Sequence, residues 1–109
     1  MSKIPKRFLQ FTKEFKDVAE AYETLGNAVH AAGPLTARER ALVKLGISVG
    51  ARLEGAVHSH VRKALAVGLQ KNELKHVALL GLPTIGLPSM MAALSWIDEV
   101  VSVGRKRRK

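Results

Sequence analysis

Histidine, arginine and glutamate side chains are concentrated in one short stretch of the sequence. It contains Arg52, Glu54, His58, His60 and Arg62. Histidine exchanges protons near neutral pH, and arginine holds carboxylates and other anions. We therefore expect acid–base chemistry here, with His60 and His58 as candidate catalytic residues. Arg62, Arg52 and Glu54 are the candidate substrate-binding residues.

The spacing of the two histidines argues against a shared metal site. In a helix with about 100° between residues, His58 and His60 point about 160° apart, whereas metal-binding pairs share a face. We therefore predict no metal and no cofactor. Glu54 lies four residues before His58 on one face, so the alternative for His58 is a surface imidazole paired with Glu54.

His60 shares a stripe of roughly 60° with Leu53 and Ala56, which are both apolar. One explanation is a structural histidine whose polar atoms are satisfied within the core. The other is a general acid or base whose pKa is set by half-burial. His30 and His76 stand alone near predicted helix ends, and we expect them to be structural.

The elements that position these residues are predicted to be helices, and we expect an all-α, single-domain bundle of five to six helices. Apolar residues at spacings of three and four form one stripe from Phe8 to Val29, which Gly33-Pro34 ends. Thr36 and Glu39 form a capping-box pattern for a helix to about Gly50. The further predicted helices are Leu53 to Val67, stopped by Gly68, then Lys71 to Leu80, and a last one from Pro88 through Val101.

Composition and charge narrow the function further. The chain has no cysteine, which excludes disulfides, thiolate metal sites and cysteine nucleophiles. The chain has 18 Lys plus Arg residues and 9 Asp plus Glu residues. Five of the basic residues form a tail at 105–109, which follows the predicted domain 1–104. We expect this tail to be solvated or to contact an acidic surface, since without interleaved aromatic residues nucleic acid is a weaker explanation. The opening residues lack the apolar core of a signal peptide, so we expect a cytoplasmic protein.

The run from Val77 to Ile97 contains no charged side chain and is long enough to span a bilayer. Two glycines and two prolines divide it into shorter pieces, however, which favours a helical hairpin buried in the core or in a subunit interface. We therefore predict a homo-oligomer, from dimer to hexamer, and no membrane span.

Three parts of the sequence resemble the carboxymuconolactone decarboxylase family, whose relatives include the alkylhydroperoxidase D-like proteins. They are Leu35–Val43, Gly55–Leu65 and the following Gly68. The likeness extends over about Phe8 to Val101. It implies an all-helical fold that assembles into oligomers with sites near subunit contacts.

The peroxidase branch of that family uses Cys-x-x-Cys followed by His, with a Glu on the preceding helix. In this sequence the cysteine positions fall on Leu53 and Ala56, the histidine on His60, and the glutamate on or near Ala41. Peroxide reduction by that route needs two thiols, so the chain is not expected to be a thiol peroxidase.

The decarboxylase branch resembles this chain in lacking the cysteines and having a His-x-Arg helix, here His60-Val61-Arg62. The resemblance implies a cofactor-free lyase acting on a small carboxylated, lactone-like molecule, with His60 as proton donor and Arg62 or Arg52 as anion clamp. The alternative is a non-catalytic binding or assembly module that keeps the fold and has lost the chemistry.

Overall fold

A computed structural model describes the backbone of residues 4–107 and the side chains of residues 4–102. Within these residues the chain is helical and has no strand, which confirms the all-α prediction. The helices are α1 (Lys6–Glu14), α2 (Lys16–Ala31), α3 (Ala37–Gly50), α4 (Glu54–Ala66), α5 (Lys71–Leu79), α6 (Leu82–Ile85) and α7 (Leu87–Arg107). The chain divides into two compact units, α1–α2 and α3–α7.

The unit formed by α1 and α2 differs from the predicted single stripe. The helix breaks at Phe15, whose backbone has φ −121° and ψ 59°, and α2 then continues through Gly26. The rings of Phe8, Phe11 and Phe15 follow one another at centroid distances of 6.3 and 6.0 Å. Neither α1 nor α2 contains a buried residue, so the apolar stripe of this unit is exposed.

Helix α3 begins at the predicted capping box. The Glu39 backbone N–H donates to the Thr36 hydroxyl at 3.2 Å, and the Thr36 N–H donates to the Glu39 carboxylate at 2.8 Å. This hydrogen bond to Thr36 lowers the pKa of the Glu39 carboxyl. The local pattern therefore fixes where α3 starts.

The first turn of α5 is joined to α3 through one carboxylate. Glu73 Oε1 accepts from the Gln70 backbone N–H at 2.9 Å, and Glu73 Oε2 accepts from the Arg38 guanidinium at 2.8 Å. The same side chain thus caps the helix that carries it and pairs with the start of another helix.

Helices α3 and α4 both end in Schellman motifs. After α4, the Leu69 N–H donates to the Ala64 carbonyl and the backbone turns at Gly68 with φ +93°, as the sequence predicts. After α3, the Leu53 N–H donates to the Ser48 carbonyl, and the left-handed position is held by Arg52 with φ +59°. A left-handed arginine costs about 1–2 kcal/mol, so this connection stores strain beside the candidate site.

The core belongs to the unit formed by α3–α7. Its buried residues come from every long helix of that unit and from the turn before α5: Leu45, Val49, Val57, Val61, Ala64, Leu69, Leu74, Ala78, Ala93, Ile97 and Val100. Helix α4 therefore packs between α3 and α7, with the face that carries Val57, Val61 and Ala64 turned inwards.

The uncharged run from Val77 to Ile97 contributes only partly to this core. Ala78, Met90, Ala93 and Ile97 are buried. Other apolar residues of the run are exposed: Leu79, Leu80, Leu82, Leu87 and Met91. In the part of the chain that the structure describes, no helix has both the length and the apolar character needed to cross a membrane.

Candidate functional site

His60 lies at the margin of the core and not within it. The inward face of α4 carries Val57, Val61 and Ala64, which are fully buried. Leu53, expected to share an apolar stripe with His60, is 56% exposed, and His60 itself is half-buried. His60 is therefore half-buried, as the acid–base explanation assumes, and is not enclosed in the core, because the buried face of α4 is centred one residue further along.

Two lysines act on His60 through their charge. Burial lowers its pKa to about 4, and the positive charges of Lys63, one turn later on α4, and of Lys44 on α3 add to the effect. Burial also lowers the pKa of Lys44, with further contributions from Lys63 and Arg40. Arg40, Lys44 and Lys63 thus form a cationic cluster on α3 and α4, next to the imidazole of His60.

The charge state of His60 follows from this setting. With a pKa of about 4, the imidazole is neutral at pH 7 and has a nitrogen lone pair available to accept a proton or a hydrogen bond. Positive charge nearby also attracts anions. The arrangement can hold a carboxylate next to a neutral base.

The cations beside His60 are not the ones that the sequence pattern singles out. Arg52 is exposed in the connection between α3 and α4, and Arg62 is half-buried two residues after His60. The charges that act on His60 are those of Lys44 and Lys63. Lys63 has a sequence signal, the spacing of three along one helix, whereas Lys44 becomes a neighbour only when α3 packs on α4.

His58 belongs to a different group. Its Nε2 lies 2.8 Å from Glu99 Oε1 of α7. Glu54, the partner expected from sequence, lies nearby, and one donor atom from each of Glu54, His58 and Glu99 falls within 4.8 Å of the others. Within residues 4–102 these are the side chains whose placement could hold a metal ion. His58 and His60 are therefore at separate sites, one towards α7 and one towards α3.

An open groove of about 500 Å³ lies between α3, α5 and α6. It is mainly apolar, with Val43, Val77, Leu80 and Ile85 among its lining residues, and His76 and Thr84 add polar atoms. His60 does not line it. This groove is therefore not a pocket around His60.

The family comparison agrees with the resemblance in the sequence. The family model described as "Carboxymuconolactone decarboxylase family" matches residues 16–99, which is most of the chain and includes both histidine sites. No curated protein and no solved structure matches the chain. The extent of the family match shows that the chain belongs to the carboxymuconolactone decarboxylase family.

Proposed function

We propose that the protein is a cofactor-free acid–base lyase that acts on a small carboxylated, lactone-like molecule at His60. The observation that carries this proposal is the half-buried His60 beside Lys44 and Lys63. Anions are attracted to such a cationic cluster, and the imidazole is the proton-transfer group within it.

Loss of CO2 breaks the bond between a carboxylate and a carbon of the substrate and leaves the electron pair on that conjugated carbon system. Lys44 and Lys63 stabilise this negative charge. The bound anion also offsets the repulsion that the lysines exert on a protonated His60, so the ring gains a proton in the complex. His60 then delivers that proton to carbon and takes up another proton from the solvent, so that carboxylate plus one proton gives product plus CO2.

Arg52 and Arg62 remain candidates for the substrate-binding role, whereas the predicted site residues His58 and Glu54 lie in the separate group with Glu99. The strained left-handed backbone of Arg52 supports its candidacy, since strain of this kind is common at binding sites. A thiol-peroxidase reaction is excluded by chemistry, because the chain has no cysteine to act as nucleophile.

We also propose that the protein works as a homo-oligomer. The support is the exposed apolar surface of α2, which includes Val18, Tyr22, Leu25 and Val29, each more than half exposed. Soluble proteins seldom leave a stripe of this size uncovered, and a second copy of the chain presents further exposed apolar residues to it.

A second candidate function is a non-catalytic module that binds ligands or supports assembly. It is favoured by the groove between α3, α5 and α6, which is apolar and does not include His60. The absence of both cysteines of the peroxidase pattern, at Leu53 and Ala56, also supports it.

The two candidates are separated by measuring CO2 release from a panel of carboxylated unsaturated lactones. The first predicts turnover that is lost in His60→Ala and kept in His76→Ala, with the oligomeric state unchanged in both. Lys44→Met and Lys63→Met should raise KM, whereas Lys71→Met should not. Binding of these compounds without CO2 release favours the non-catalytic module, and undiminished turnover by His60→Ala refutes the catalytic role of His60.

A further inference from the structure

We propose that Glu54, His58 and Glu99 bind a divalent transition-metal ion between α4 and α7. Two of these residues are one helical turn apart on α4, and the third comes from α7, 41 residues after His58. The proposal concerns a site separate from the proposed acid–base site, because His60 and its lysines take no part in it.

The positions of the donor atoms suit a single ion. The His58 Nε2 and Glu99 Oε1 atoms are 2.8 Å apart, and a carboxylate oxygen of Glu54 lies within 4.8 Å of both. Ligands at zinc-type bond lengths are roughly 3.3 Å apart in a tetrahedral site. Both glutamate side chains are exposed, so rotation about their side-chain bonds can adjust these separations.

The charges at this place favour a cation. Two carboxylates from different helices converge on one imidazole, and carboxylates repel each other when a cation does not lie between them. A divalent ion balances both negative charges and takes the imidazole as its third ligand. This is a mixed set of one nitrogen and two oxygens, in contrast to a purely acidic surface cluster.

The donor set also selects the class of ion. Imidazole suits zinc and its transition-metal neighbours, whereas Mg²⁺ prefers oxygen ligands and near-ideal octahedral geometry. The side chain of His58 is 25% exposed and that of Glu99 is 56% exposed, so water can fill the remaining coordination positions. The bound ion would link α4 to α7 through both helices' side chains.

Zn²⁺ is the probe, and isothermal titration of the tag-free full chain is the measurement. We expect one Zn²⁺ per chain with a dissociation constant below about 100 µM, and a higher Tm with Zn²⁺ than with EDTA. Loss of an outer-sphere group already weakens metal sites about 10- to 100-fold, so His58→Gln, Glu54→Gln and Glu99→Gln should each weaken binding at least tenfold.

Two matched variants serve as controls. Asp98→Asn removes a carboxylate next to Glu99 that pairs instead with Lys75 at 3.3 Å, and His76→Gln removes a histidine outside the cluster. Both should bind Zn²⁺ as the unmodified chain does, and Mg²⁺ should bind far more weakly than Zn²⁺. Binding that is absent, that is equally lost in the controls, or that survives in all three ligand variants overturns the proposal.

Discussion

The lowered pKa of His60 makes the stability of the protein depend on pH within a defined window. Burial and the charges of Lys63 and Lys44 bring this pKa from 6.5 to about 4 in the folded chain. Below pH 6.5 the unfolded chain binds a proton at His60 that the folded chain does not bind. The contribution of His60 to stability is therefore fully present above pH 6.5 and is lost as the pH falls towards 4.

The size of the effect follows from the shift. A pKa change from 6.5 to about 4 means that titration of His60 can lower the free energy of unfolding by at most roughly 3 kcal/mol. The ring still contacts solvent, and water screens part of the repulsion, so we expect about 1–2 kcal/mol. His60→Gln keeps a polar side chain of similar size but cannot titrate, so it should remove this part of the pH dependence.

Urea unfolding at a series of pH values from about 4 to 7.5 measures the effect for the unmodified chain and for His60→Gln. Protein concentration must be constant, because association alters apparent stability. The difference in the free energy of unfolding between the two proteins should change across this pH window. A constant difference, or an NMR titration that gives His60 a pKa near 6.5, would refute the argument from burial and lysine charge.

Four other substitutions test the fold and the assembly. Leu45→Ala, at a fully buried position, should lower the free energy of unfolding by about 2–5 kcal/mol in urea; a loss of a few tenths would mean that the core is not packed as described. The backbones of Arg52 and Gly68 are both left-handed, a conformation that favours glycine. Arg52→Gly should therefore stabilise the protein by about 1 kcal/mol in the same assay, and Gly68→Ala should destabilise it by about as much. Changes of the opposite sign would contradict the Schellman geometry. Tyr22→Glu should shift sedimentation velocity towards the monomer, with Glu23→Gln as control, and an unchanged profile would exclude α2 from the interface.

Local features of the fold are readable from the sequence because their causes are local. Thr36 and Glu39 are three residues apart and cap each other, and Gly68 takes the left-handed position at which α4 stops. The break at Phe15 has no such signal, since the residue is neither glycine nor proline. The sequence also places an apolar stripe on α2 without indicating whether that stripe faces a core or remains exposed.

The candidate sites depend on packing between helices, which spacing along the sequence does not reveal. Glu54 is a reasonable partner for His58 within one helix, but Glu99 approaches only because α7 packs against α4. Lys44 reaches the surroundings of His60 in the same way, through α3. In both cases the sequence indicates the residue that could act but not the neighbour that another helix brings to it.

The double contact made by Glu73 has a consequence for how this chain tolerates mutation. Because one carboxylate serves both the Gln70 amide and the Arg38 guanidinium, the effect of changing Glu73 depends on which residue replaces it. Glutamine still supplies an oxygen to cap α5 and gives up only an exposed ion pair, worth at most about 1 kcal/mol. Alanine removes both contacts at once. After an Arg38 substitution the ion pair is already lost, so Glu73→Gln should then hardly change the stability, whereas Glu73→Ala should still lower it. The order in which such substitutions accumulate therefore decides which of them are tolerated.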